Sequence, residues 1–148
     1  MDLLSFLKRE HGHVSTLLKK IADSSESAVK TREKLFDEVN TSLTVHAKIE
    51  EKHLYPRLKK EPKLEDLEKH AEQEHGEMKK MLAAIAKLPV DGDEFVRRIG
   101  ELTSSVQDHV DEEESQIIPQ AEAVLGKKEC DRLAKLLQEE KRALMQTT

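Results

Sequence analysis

Twice in this chain a histidine and a glutamate, four positions apart, interrupt an apolar helical seam, and no other feature restricts the possible folds as much. The first copy is HAKIEEKHLYP, residues 46–56, and the second is HVDEEESQIIP, residues 109–119. Both read His, three residues, Glu-Glu, two residues, an aliphatic, one residue, Pro. On a helix, positions i and i+4 differ by about 40° and about 6 Å of rise, so each pair faces one point. A carboxylate buried without a partner costs several kcal/mol, and two of them repel. Any fold that buries both pairs must therefore supply compensation.

The surrounding pattern puts these residues on core-facing stripes of four helices. The first helix carries Leu4, Leu7, Val14, Leu18 and Ile21, and His11 fills the gap in that seam. The third carries Leu64, Leu67, Ala71, Met78, Leu82 and Ile85, with His75 in its gap. Phe36, Val39 and Leu43 lead to His46 and Glu50 on the second, and Phe95, Ile99, Leu102 and Val106 lead to His109 and Glu113 on the fourth.

The helices themselves are bounded by turn signals. The first runs from about Asp2 to Ile21, where the DSSES segment (23–27) ends it and offers caps for the next. The second runs from about Val29 to Tyr55 and stops or kinks near Pro56. The third starts around Pro62 and ends before Leu88-Pro89, and Asp91-Gly-Asp-Glu94 reads as a capping box opening a fourth that reaches about Ile118. Gly126 sets off a last amphipathic segment, roughly residues 127–145.

An internal repeat joins the pieces. EHGHVSTLLKKI (10–21) matches EHGEMKKMLAAI (74–85) at an offset of 64 residues, against 63 for the two His/Glu segments. Two helical hairpins are thus copies of one unit. With short connections, successive helices become antiparallel neighbours. The expected fold is all-α: an up-down-up-down four-helix bundle over residues 1–122, with residues 123–148 forming a short additional C-terminal helix packed on it. Aromatic residues at 3% and no tryptophan argue against a sandwich or barrel.

Composition also narrows the partners. Basic and acidic residues number 25 and 30, and Lys and Arg interleave with Glu, which argues against nucleic acid. The run MLAAIAKL is too short to span a membrane, and MDLLSFLKREH turns charged too soon for a signal peptide. With Cys130 as the single cysteine, the expectation is a cytoplasmic protein without a membrane partner.

No Lys or Arg lies on the four seams to offset the buried carboxylates, and a metal centre would. If Glu50 and Glu113 each bridge two metals and the histidines divide two and two, each ion receives four protein bonds. A bridging oxo or hydroxo group makes five and leaves a position for a small ligand. Mixed imidazole and carboxylate ligation suits iron, manganese or zinc, of which the first two bring redox chemistry. A closed structural zinc site with cysteines fits poorly. A rival carboxylate-bridged arrangement, the ferritin-like Glu-x-x-His, occurs as Glu50/His53 and Glu72/His75, but neither pair recurs in the other half.

Over roughly residues 3–120 the chain resembles the hemerythrin-like (HHE cation-binding) family. The match rests on His11, the two His-x-x-x-Glu pairs with their downstream prolines, and Glu74-His75. The resemblance implies a four-helix bundle holding two non-haem iron ions with an oxo or hydroxo bridge. It implies His11, His46, Glu50, His75, His109 and Glu113 as ligands, both glutamates bridging, and O2, H2O2 or NO as the small-molecule ligand. One position departs from the oxygen carriers. They have a fifth histidine one turn before the His75 equivalent, where this chain has Ala71, and Glu72 or solvent could substitute. Tyr55 is either a core-edge aromatic or a phenolate near iron, and His53 is a residue of the pocket edge or a further ligand. His13 and His70 read as solvated, as do Glu51, Glu112 and Glu114. An oxygen or NO binder, a sensor and a peroxide-consuming, catalase-like enzyme remain open within this class. Iron storage or delivery and a metal-free helical interaction module stand as rivals.

Overall fold

A computed structural model describes residues 1–146, and among these every regular element is helical. Helices α1 (Leu3–Ala22) and α2 (Val29–Ile49) form one hairpin, and α4 (Glu65–Ile85) and α5 (Asp93–Glu112) form the other. A five-residue π turn, Glu50–Leu54, joins α2 to α3 (Tyr55–Lys59), and a second, Glu113–Ile117, joins α5 to α6 (Ile118–Leu125). The hairpins pack chiefly through α1 against α5, whereas α2 and α4 barely touch. The architecture is the four-helix bundle with a further C-terminal helix, α7 (Lys127–Gln146).

The second and fourth bundle helices do not stop at their prolines. Proline has no N–H to give, and its ring clashes with the preceding turn of a regular helix. Here the turn before each proline is widened, with Tyr55 N–H bonding to Glu50 O and Ile118 N–H to Glu113 O. The helical backbone therefore continues past Pro56 and Pro119.

Two other local expectations change. Gly92, not Asp91, caps α5, without a side-chain hydrogen bond, and Glu94 instead accepts from Arg97 and Arg98. Likewise α2 starts after Ala28 with no side-chain cap from the serine segment. Ser24 turns back to Ile21 O, and the buried Arg32 donates to Ser24 Oγ, Ser24 O and Val90 O at 2.8–2.9 Å. One guanidinium thereby ties the two interhelical loops together at that end of the bundle.

The core falls into two apolar clusters. One holds Leu3, Leu7, Ile49, Leu58 and Ile117 with Cys130, Leu133, Ala134 and Leu137 of α7, and the other holds Val14, Ile21, Val39, Phe95, Ile99 and Leu102. Along α1, His11 lies between Leu7 of the first cluster and Val14 of the second. The polar layer thus sits between the clusters, closed in at both ends. Cys130 is a packed thiol, raised to about 11 by burial.

Gly126 makes α7 possible. It links α6 to α7 at φ 86°, ψ 160°, a conformation open essentially to glycine alone. Gly126→Ala is expected to lower stability by about 1–3 kcal/mol. Urea unfolding would measure this, and an unchanged midpoint would contradict the assignment.

Candidate metal centre

Each bundle helix delivers histidine to the same layer, and the two π turns deliver the glutamates. Glu50 and Glu113 each open a π turn and are 0% exposed, while His11, His46, His75 and His109 are 3–7% exposed. Their donor atoms gather into two triads, His11/His46/Glu113 and Glu50/His75/His109. The glutamates also reach across. Glu113 Oε1 lies 3.1 Å from His11 Nε2 and its Oε2 lies 3.4 Å from His109 Nε2. Glu50 Oε1 lies 3.0 Å from His46 Nε2 and 3.3 Å from His75 Nε2. The six seam residues picked out in the sequence therefore converge on one buried layer.

Tyr55 belongs to this layer too. It is 1% exposed, and its hydroxyl lies 3.0 Å from His75 Nε2, 3.3 Å from Glu113 Oε2 and 3.4 Å from Glu50 Oε1. In a regular helix, a residue five positions on points about 140° away from the first. The extra residue of the π turn removes most of that angle and brings Tyr55 back to the side of Glu50. Its counterpart in the other half is Ile118, so the phenol makes the two halves unequal.

Two candidates lie elsewhere. Glu72 is exposed and pairs with Lys59 at 3.7 Å, while Ala71 beside it takes the buried position of the seam. His53 binds Glu140 of α7 at 3.0 Å, on the outer side of the π turn. His13 is exposed as expected, and His70 is exposed but bonded to Glu112 at 2.8 Å. Glu51 is exposed, as the sequence suggested, and Glu114 is half-buried, and each also holds a ring. Glu114 accepts from His11 Nδ1 at 2.7 Å, Glu51 from His75 Nδ1 at 3.0 Å, and Glu74 from His109 Nδ1 at 2.8 Å. Glu51 and Glu114 are repeat mates one residue beyond Glu50 and Glu113, so the doubled Glu-Glu was the sequence signal for them. Such bonds fix the ring orientation and leave Nε2 facing inward.

The donor set fits a cation. Four imidazole Nε2 atoms and two carboxylates face one another, and His46 Nε2 and Glu50 Oε2 are buried without a hydrogen-bond partner. Among the described residues the buried basic side chain is Arg32, already engaged at the interhelical loops. A cavity of about 340 Å³ adjoins the four histidines, walled by Val14, Leu43, Met78, Leu82 and Val106, with exposed Lys48 and Lys79 on its edge.

Protons take up the charge when no cation is present. Burial opposes protonation of His75, but hydrogen bonds to Glu50 and Glu51 and the charges of Glu50 and Glu113 outweigh it, raising the ring to about 9. His46 is raised in the same sense, burial again opposing and the charge of Glu50 prevailing. Glu113 is held well below the ordinary carboxylate range: burial pushes it up, and the rings of His109, His11 and His46 beside it pull it down further. Tyr55 is pushed well above its ordinary value by burial and then by the two glutamates, so its phenol is neutral. A histidine with a raised value stabilises the fold fully below about pH 6.5 and ceases to do so as pH rises through about 9. Glu113 contributes above about 4.5 and loses its contribution as pH falls through its depressed value. The metal-free protein should therefore lose stability between about pH 6.5 and about pH 9. Urea midpoints across that window test this, and a flat or rising profile would contradict it.

Comparison with known proteins places this geometry. The model of the hemerythrin HHE cation binding domain matches residues 2–121. A DNA nickase from Nostoc sp. (strain PCC 7120 / SAG 25.82 / UTEX 2576) is 30% identical over 115 residues, which cover 78% of this chain and 32% of the nickase. The chain thus spans about a third of the length of that curated relative. The crystal structure of a hemerythrin HHE cation binding domain-containing protein from Mycobacterium kansasii, a homologue of Rv2633c, superposes with a TM-score of 0.77 at 23% identity. The alignment covers 98% of this chain and 90% of the other, and it shows the shared helical fold. With a family model matched over most of its length and a buried layer of histidine and glutamate at the matched positions, this chain belongs to the hemerythrin HHE cation binding domain family.

Proposed function

We propose that this protein holds two non-haem iron ions and binds or reacts with a small oxidant, O2, H2O2 or NO, beside them. The observation that carries this reading is the pairing of two His/His/Glu triads by glutamates that each reach both. One ion would be held by His11, His46 and Glu113 and the other by Glu50, His75 and His109, with the glutamates bridging and an oxo or hydroxo group between the ions. When bound, iron supplies Lewis acidity and redox electrons at this layer.

The protein's own groups account for the rest. Glu114, Glu51 and Glu74 orient their rings through Nδ1. Tyr55 supplies a polar atom on the His75 side, in a chain that has Ala71 where oxygen carriers have a further histidine. Beside a cation the phenol can ligate as a phenolate, and without one it stays neutral and donates to the carboxylates. The cavity, walled largely by apolar side chains, would admit a small ligand to the histidine layer. Nucleic acid is not part of this reading, since the net charge is −5. Neither is a membrane, as no described helix is long and apolar enough to cross one. The single cysteine, Cys130, supports a reducing compartment such as the cytoplasm for this reading.

Metal analysis of the purified protein, with visible spectra before and after peroxide, tests the proposal. We expect two irons per chain and a spectrum that changes on adding H2O2, and the rate of peroxide loss separates an enzyme from a binder or sensor. Glu50→Ala and Glu113→Ala should each hold fewer than two irons. Tyr55→Phe should keep both but lose a visible phenolate-to-iron band. Tight iron binding with no spectral response to any of the three oxidants would overturn the reading in favour of storage or delivery. Absence of bound metal would favour a helical interaction module.

A further inference from the structure

The repeat brings out a missing partner. Glu10 and Glu74 open the two Glu-His-Gly copies, and His46 and His109 open the two His-x-x-x-Glu copies. In the second hairpin these residues bond to each other, Glu74 Oε1 accepting from His109 Nδ1 at 2.8 Å. In the first they do not. Glu10 Oε2 accepts instead from Lys141 Nζ of α7 at 2.5 Å. His46 Nδ1 is buried and has no hydrogen-bond partner, whereas the other three rings have a carboxylate at Nδ1. Glu10 is 9% exposed, and it lines a small cavity of about 70 Å³ together with His46 and Lys141. Carboxylate, ring and lysine thus border the same space, and α7, which packs on α1 and α2, is the element without a counterpart in the second hairpin.

We propose that Glu10 is the positioning residue for His46, and that Lys141 holds it off, so that α7 sets how firmly the His11/His46/Glu113 triad grips its metal. The inference rests on the metal-binding reading above for its consequence, though not for its geometry. A carboxylate at Nδ1 fixes the tautomer of a ligating histidine and raises its basicity, and loss of such a partner typically costs about 10–100-fold in metal affinity. With Glu10 engaged by Lys141, the first triad lacks one of its orienting bonds and is the weaker of the two. Moving α7 away would release Glu10 to His46 and bring the halves towards equality. The C-terminal helix then acts as a regulator of one metal and leaves the other alone.

The test compares wild type with Lys141→Met, Lys141→Arg, Glu10→Gln and the double variant Lys141→Met/Glu10→Gln. Lys141→Gln replaces the methionine variant if that one folds poorly. In metal-free protein labelled with ¹⁵N-histidine, Lys141→Met should shift the His46 Nδ1–H proton downfield and slow its exchange. Adding Glu10→Gln should reverse this, and Lys141→Arg should match wild type. In the iron-loaded protein, chelator competition should show the weaker iron held about tenfold tighter in Lys141→Met, and returned to the wild-type value in the double variant. A His46 signal identical in wild type and Lys141→Met would overturn the inference. So would a Glu10→Gln single variant that already moves the His46 signal, because Glu10 would then be serving His46 in wild type. The magnetic resonance arm decides the role of Glu10 even if no metal loads. Failure of loading alone therefore counts against the metal reading, and an unchanged His46 signal with normal loading counts against this inference.

Discussion

Two glutamates shielded completely from water set the terms for the rest of this molecule. Carboxylates at 0% exposure repel each other and forgo hydration, and hydrogen bonds from neutral groups would not offset that. Around Glu50 and Glu113 the chain arranges four imidazoles and a phenol, with Nε2 or the hydroxyl turned inward. The bundle exists in this form because four helices are needed to bring those groups to one layer. Apolar clusters on both sides then keep water from screening them.

The same constraint accounts for the ring of acidic residues one step further out. A histidine that must present Nε2 inward needs an acceptor at Nδ1, and Glu51, Glu74 and Glu114 supply it from partly exposed positions where a carboxylate is cheap to hold. Inner carboxylates, imidazoles and outer carboxylates form a graded path from buried to solvated charge. It is complete for three histidines and interrupted at His46, where α7 intrudes.

Much of this was legible in the sequence because periodicity and duplication are properties of regular helix. Spacings of three and four put His11, His46, His75 and His109 on the seams, and the repeat separated those polar residues from the many solvated ones. What could not be read follows from departures from that periodicity. A π turn adds a residue and shifts the phase of everything after it, so Tyr55 was open to two readings, Pro56 to a stop or a kink, and the fourth helix was read only as far as Ile118. A proline six residues after each glutamate, in both halves, was the trace this left. Pairings at Nδ1 depend on neighbouring helices, and single-helix patterns cannot show them. For the same reason Glu51 and Glu114 looked like ordinary surface charge, and Glu72 looked closer to the centre than it is.

Duplication followed by local divergence describes the site as a whole. The halves share histidine, glutamate, π turn and proline, and they differ at Tyr55 against Ile118 and at the partners of Glu10 and Glu74. Each difference bears on one triad more than the other, so the two positions are expected to be chemically distinct. The most direct test of the central claim is anomalous diffraction from crystals of the iron-loaded protein, collected on either side of the iron absorption edge. The account predicts two iron peaks, one within bonding distance of His11, His46 and Glu113 and one of Glu50, His75 and His109. A single peak, or peaks away from these six residues, would contradict it.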